Sequence, residues 1–259
     1  MINIRNNTFE TNSSSAHSMV LTGNNHKHKL SLLDLDYNKA SDTYYFAINK
    51  DDYGRGFEIL KSVPDKLGYI CASCSTLIQD PKKYNDCYEQ LEIIYNICKK
   101  NLTDPTVKFK FKINAQLWSY SSFDEAVATD TDGPSAIDCM GINSSNCLTS
   151  IDHQSMDMIA NMLQCVRETI PEMKDSSNEE IFEEFIFNDK YVIIVDDDST
   201  GVEDSYDVAK RLDAKYVYGY FPIGLTEENL YDVDYKDRLF SIEDYTIYKD
   251  WCVKRRNEW

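Results

Sequence analysis

The most constraining feature of the sequence is a continuous apolar run, Tyr191 to Val195, which is followed by three aspartates. A strand buried on both faces is apolar at every position, whereas a half-exposed strand alternates apolar and polar residues. The run therefore predicts a central strand of a sheet.

A second strand is predicted by clean alternation. Val107, Phe109, Phe111 and Ile113 alternate with three lysines, so one face is apolar and the other is charged. This pattern predicts a half-exposed strand, and the lysines suit the edge of a sheet because they discourage pairing with another chain.

Apolar stripes at helical spacing predict the helices. One stripe includes Leu67, Ile70 and Cys71, and Ser177 or Asn178 is placed to cap a short acidic helix. Strands and helices mix along the chain, so we predict an α+β or α/β fold: one globular unit with a mixed sheet and about five helices. A sub-boundary is placed in the polar stretch 121–149.

The charge is unevenly distributed. The formal net charge is −17; residues 1–150 hold 18 acids and 15 bases, and residues 151–259 hold 26 acids and 12 bases. An acidic surface of this kind repels a phosphate backbone, so direct nucleic-acid binding is not expected. It attracts a basic surface, so we expect a partner protein that presents one. The alternative is that the charge serves solubility alone.

The compartment follows from what the sequence lacks. No apolar run approaches the roughly 20 residues of a membrane helix, and the N-terminus has no secretory pattern. Cys71 and Cys74 share one helical stripe, and Cys87 and Cys98 share another, which predicts core thiols. A redox pair or half of a zinc site at Cys71 and Cys74 is the alternative. We expect a cytoplasmic protein without a membrane segment.

The N-terminal motif combines hydroxyls with an imidazole. Ser13, Ser14 and Ser15 follow Asn12, and His17 comes two residues later. A serine needs a base to act as a nucleophile, and alternation along a strand would place Ser15 and His17 on one face. The alternative is a turn in which Asn12 and the serines bond to the local backbone.

The stretch from Arg5 to Ser18, with the pattern RxxxFETNSSSxHS, resembles the N-terminal signature of a group of uncharacterised proteins. These proteins belong to bacteriophages and low-GC Gram-positive bacteria. The stretches Tyr53 to Ile70 and Ile151 to Ser155 are also similar to that group. The resemblance implies a host bacterial cytosol as the setting, and it implies no particular reaction.

A second histidine motif, Asp152-His153-Gln154, stands at a predicted helix start. Our hypothesis is that His153 faces His17 in space, so that the two could share a phosphate, a metal or an acid–base step. The alternative is an ordinary first turn of a helix, where Asp152 favours the positive end of the dipole.

The acidic stretch after the apolar run partly follows the calcium-loop pattern. Oxygen ligands would come from Asp196, Asp198, Thr200 and Asp204, with Gly201 at the turn. A strand rather than a helix leads into it, which argues against a helix–loop–helix hand. A looser divalent-cation loop and a solvated acidic turn both remain open, and no other cofactor is identified.

Two functions are compatible with these features. The first is a phage or mobile-element accessory protein that binds a basic host protein and inhibits, in one version, a defence nuclease. The second is a small enzyme for a phosphorylated, nucleotide or acyl substrate, with His17 and His153 as acid and base and Ser13 or Ser15 as nucleophile. Asp152 completes its catalytic set, and its ligand-binding residues would be Arg5, Asn12, Ser14, Arg55 and Gln154.

Overall fold

The computed structural model describes residues 16–48, 57–76, 84–113, 137–139, 158–196, 205–229 and 233–257. The strands are β1 Ala16–Leu21, β2 Asp36–Asn38, β3 Thr43–Ile48, β4 Glu58–Leu60, β5 Phe109–Ile113, β6 Ile137–Cys139, β7 Tyr191–Asp196, β8 Tyr216–Pro222 and β9 Tyr235–Ser241. The α-helices are α1 Val63–Thr76, α2 Tyr84–Lys100, α3 Met158–Thr169, α4 Asn178–Phe187, α5 Ser205–Arg211 and α6 Ile242–Asn257. Short 3-10 turns span Leu32–Asp34 and Pro171–Met173.

A five-stranded sheet has the order β9-β8-β1-β7-β4, and all its paired neighbours are antiparallel. The apolar run forms β7, between β1 and β4, so the predicted central strand is confirmed. Alternate residues of this strand enter two separate cores: Ile193 and Val195 pack in one, and Val192 and Ile194 pack in the other. Burial on both faces is the reason that the run lacks polar positions.

A second sheet has the order β2-β3-β5-β6, with β5 parallel to both of its neighbours. Phe109 and Phe111 are buried, which confirms the predicted apolar face. The predicted edge position is wrong, because β5 is paired on both sides. The lysines mark the outward face of this strand and not an open edge, and alternation alone does not distinguish the two.

The larger core cluster combines residues from both sheets with residues of α1 to α4, so these helices pack between the sheets. The smaller cluster joins the opposite face of the five-stranded sheet to α5 and α6. Cys71 and Cys98 are buried free thiols in the larger cluster, as predicted, and Cys165 is a third. Burial raises the pKa of the Cys98 and Cys165 thiols well above the usual range. The side chains of Cys74 and Cys87 lie outside the described residues.

Three helices begin with the same reciprocal cap. Ser177 and Glu180 form a capping box at the start of α4, which confirms the predicted serine cap. Ser62 and Asp65 exchange equivalent bonds at α1, as do Ser241 and Asp244 at α6. Each box satisfies backbone N–H groups that the first helical turn leaves without partners.

The predicted α+β class is confirmed, with six α-helices in the described part of the chain against the expected number of about five. The proposed sub-boundary, 121–149, lies outside the described residues except for 137–139. The five-stranded sheet takes β1 and β4 from before this stretch and its other strands from after it. No helix in the described ranges is long and apolar enough to cross a membrane.

Candidate functional site

Most residues predicted to form a chemical site lie outside the described ranges. These residues are Arg5, Asn12, Ser13, Ser14, Ser15, Arg55, Asp152, His153, Gln154, Asp198, Thr200 and Asp204. His17 and Asp196 are described as strand residues, without their side chains. The convergence of His17 with His153 therefore stays a prediction.

Strand register nevertheless places the starts of β1 and β4 and the end of β7 together at one end of the five-stranded sheet. β1 begins directly after the serine run, and its Ala16 is in register with Asp196, where β7 ends. Val195 is in register with His17 on one side and with Glu58 on the other. Glu58 is the first residue of β4, soon after the stretch that holds Arg55. These neighbouring strand ends are therefore each next in sequence to one predicted segment: the serine motif, the acidic stretch or the Arg55 stretch.

The predicted cation loop connects a strand to a helix. β7 ends at Asp196, the first predicted ligand, and α5 begins at Ser205, directly after the last predicted ligand in the sequence. Within the described ranges, no three His, Cys, Asp or Glu side chains are grouped so that they could hold a metal ion. Cation binding by Asp196 and the residues after it stays a prediction.

The described residues contain a groove where the two sheets meet the first turns of α1. Its volume is about 340 Å³, near the lower end of the size range of ligand pockets. We call this feature the acidic groove, because four of its ten lining residues are acids and none is a lysine or arginine. The lining residues are Asp34, Asp36, Tyr45, Phe46, Ala47, Glu58, Leu60, Pro64, Asp65 and Gly68.

Local structure positions three of the four acids that line the groove. Ser31 caps the 3-10 turn that carries Asp34 by accepting a bond from the Leu33 backbone N–H at 3.1 Å. Asp36 is in register with Tyr45 across the β2–β3 pair. Asp65 is held by its capping bonds to Ser62, so its carboxylate is fixed at the start of α1.

The charge around the groove is asymmetric. β5 places Lys110 and Lys112 in register with Tyr45 and Ala47, so two lysines stand on the neighbouring strand. They do not line the groove, and the lining itself has a formal charge of −4 from its four carboxylates. Such a surface attracts a cationic group, and the attraction weakens as salt screens it.

An exposed apolar residue precedes Asp34, one of the groove acids, in the sequence. The exposed fraction of Leu33 is 95%, while Leu32 and Leu35 pack against the larger core cluster. Because residues three apart in a 3-10 turn lie on the same face, burial of Leu32 and Leu35 turns Leu33 towards solvent.

A buried lysine next to the groove was not singled out by sequence reasoning. Lys66 is only 1% exposed, and its Nζ donates to the Phe185 carbonyl at 2.8 Å and to the Asn188 carbonyl at 2.6 Å. Burial lowers the pKa of Lys66 to about 7, and the nearby carboxylates of Asp189, Glu184 and Asp65 oppose this change. Its contacts are those of a structural cross-link, because both acceptors are backbone carbonyls at the end of α4.

A polar network continues outward from these carbonyls. The Asn188 side-chain amide donates to Glu184 Oε1 at 2.7 Å and to Asn25 Oδ1 at 2.8 Å. Lys27 Nζ lies 2.8 Å from Glu184 Oε2, and the network thereby ties segment 22–30 to the end of α4. No short motif marks this network, because its members come from three distant parts of the chain.

Comparison with known proteins adds no assignment: no protein-family model, curated protein or solved structure matches the chain.

Proposed function

We propose that the protein is a non-enzymatic accessory protein, of phage or mobile-element type, that binds a host protein through an acidic surface. The observation that carries this proposal is the acidic groove, in which four carboxylates line a concave surface without a lysine or arginine among them. The proposed partner presents a basic surface in the host bacterial cytosol. A defence nuclease fits this description, because its groove must attract a phosphate backbone.

The overall charge supports the same class of partner. A net charge of −17 repels nucleic acid and speeds encounter with a basic protein. Complementary charge fixes orientation and association rate more than it fixes affinity. The exposed Leu33, next in sequence to the groove residue Asp34, could add an apolar contact of the kind that a charged surface lacks.

The proposal is tested by titrating the full chain into cleavage reactions of purified bacterial defence nucleases, one RNA-guided and one restriction endonuclease. We expect inhibition of at least one nuclease, and we expect it to weaken steeply between about 0.1 M and about 0.5 M salt, where the Debye length falls below 10 Å. Failure to inhibit either nuclease would contradict the nuclease version of the proposal.

Two matched variants locate the surface. The groove variant combines Asp34→Asn, Asp36→Asn and Glu58→Gln, and leaves the capping residue Asp65 in place. The control variant combines Glu172→Gln, Asp175→Asn and Asp250→Asn, which are exposed acids away from the groove lining. Both variants lose the same charge. We expect inhibition to weaken at least tenfold more in the groove variant, and equal effects would show that the groove is not the binding surface.

A second candidate function is a Ser/His enzyme acting on a phosphorylated, nucleotide or acyl substrate. The register of β1, β7 and β4 favours it, because the strand ends next to the serine motif, the acidic stretch and the Arg55 stretch are neighbours. In this hypothesis His17 and His153 are the acid and base, Ser13 or Ser15 is the nucleophile, and Arg5 or Arg55 binds an anion. Turnover in a panel of phosphoesters and nucleotides that falls about 100-fold or more in His17→Ala would support the enzyme.

A further inference from the structure

The buried amine of Lys66 connects two parts of the chain that are distant in sequence. Lys66 lies in the first turns of α1, and its acceptors, the carbonyls of Phe185 and Asn188, lie at the end of α4 and in the turn before β7. A neutral amine has two N–H groups, which match the two carbonyls. An ammonium has a third N–H and a full charge, and both must be accommodated in a site that is 1% exposed.

Charged groups face this amine from each side. Asp65 is its neighbour on α1, Glu184 lies on α4, and Asp189 lies in the turn 188–190; each favours the protonated amine. Two of these carboxylates are already engaged by other cationic or polar groups. Glu184 is paired with Lys27, and Asp189 accepts from the His26 backbone N–H and lies 3.4 Å from His28 Nε2.

We infer that Lys66 is a proton-linked latch between α1 and the turn 188–190, which stays closed when the amine is neutral and opens more readily when the amine takes up a proton. Opening exposes the amine to water, where the ammonium is solvated. The closed site cannot offer this solvation, and the ring of Phe185, 5.8 Å from Nζ, replaces only part of it.

The direction of the pH dependence follows from the two affinities for the proton. The open site binds a proton near the ordinary lysine pKa of 10.5, and the closed site binds one only near 7. Between these limits the open form holds more protons, so opening is favoured about tenfold more for each unit that the pH falls. Below 7 both forms are protonated, and the dependence on Lys66 ends.

The latch adjoins the acidic groove without depending on its proposed function. Asp65, which precedes Lys66, and Gly68, which follows two residues later, both line the groove. On the other side, the turn 188–190 holds segment 22–30 through Asn188 and Asp189. Opening of the latch would therefore loosen one wall of the groove and the anchor of that segment together.

Hydrogen exchange on the full chain tests this inference. Protection factors of the amides of Lys66, Asn188 and Asp189 are measured between about pH 6.5 and about pH 8.5, with intrinsic exchange rates divided out. We expect the opening constant to be about 25-fold larger at the lower pH. A wild-type opening constant that changes less than twofold over this interval would overturn the inference.

Variants separate Lys66 from other titrating groups. Lys66→Gln keeps an amide donor but cannot titrate. The opening constant of this variant is therefore expected to differ less than twofold between about pH 6.5 and about pH 8.5. Lys61→Met removes an exposed lysine from the same region and is expected to keep the wild-type pH dependence. An unchanged pH dependence in Lys66→Gln would overturn the inference. If that variant fails to fold, the NMR titration of the Lys66 side chain in the wild-type protein decides, since a midpoint near 7 supports the latch and one above about 9 excludes it.

Discussion

The side-chain amide of Asn188 makes hydrogen bonds to three separate parts of the chain. It donates to Glu184 and to Asn25, and its carbonyl oxygen accepts from the Lys190 backbone N–H at 2.9 Å. The residue is 1% exposed, so water cannot replace these partners. One residue thereby fixes the end of α4, the turn before β7 and segment 22–30.

Asn188→Ala is expected to lower the free energy of unfolding by about 2–3 kcal/mol, because it leaves the buried Glu184 carboxylate without one donor and the Lys190 N–H without its acceptor. Urea unfolding followed by circular dichroism measures the change. Asn24→Ala, at an exposed position, is the control and should stay within about 0.5 kcal/mol of wild type. A loss of similar size in both variants would contradict the role assigned to Asn188.

Lys66 shows why such residues escape sequence reasoning. Helical spacing puts Lys66 on the apolar stripe of α1, three residues after Val63 and four before Ile70, but a lysine at such a position can also extend its amine to solvent. Its burial is decided by the end of α4, more than 100 positions later, which offers two carbonyls at the right distance. Non-local hydrogen bonding of this kind leaves no periodic pattern.

At the scale of elements, the start of α4 could be predicted, since its capping signal is local. The serine before α4 and the glutamate three residues later form a capping box that the sequence indicates directly. The centre of the five-stranded sheet was also predictable, because burial on two faces demands an apolar run. The position of β5 inside its sheet could not be predicted, because the neighbours of a strand depend on how strands pair and not on the strand's own residues.

Ser177→Ala is expected to destabilise the protein by about 1 kcal/mol, since the N–H of Glu180 loses its side-chain acceptor. Thermal unfolding monitored by calorimetry gives the change. Ser41→Ala is a matched control, because only the backbone of the exposed Ser41 makes described hydrogen bonds. If the two variants unfold at the same temperature, the capping box contributes nothing measurable to stability.

At the scale of the whole molecule, the excess of acids opposes folding by mutual repulsion. We expect that raising NaCl from about 0.05 M to about 0.5 M at neutral pH increases the free energy of unfolding by about 1 kcal/mol, or Tm by about 2–4 °C. The same salt step near pH 5, close to the sequence pI of about 4.6, should have a smaller effect. A decrease in Tm with salt at neutral pH would show that attractive ion pairs outweigh the repulsion.

At this scale, the charge of the candidate site could be predicted from the sequence, but its shape could not. An acidic surface follows from the composition, whereas the acidic groove depends on how β2, β3, β4 and α1 meet, and its four acids come from separate elements. The pairing of Ala16 with Asp196 joins two motifs that stand 180 positions apart. Each of these residues belongs to a motif that was recognisable alone, and their pairing could not be inferred from either motif.

The central place of β1 has a consequence for synthesis on the ribosome. β1 is made long before both of the strands that flank it, β7 and β8. At about 5–20 residues per second, roughly 10–40 s pass before these partners emerge. Throughout that time an apolar strand of the nascent chain has both of its hydrogen-bonding edges open. Chaperone binding to β1 as it emerges should therefore raise the yield of native protein more than equivalent protection of β9, whose partner β8 is made before it.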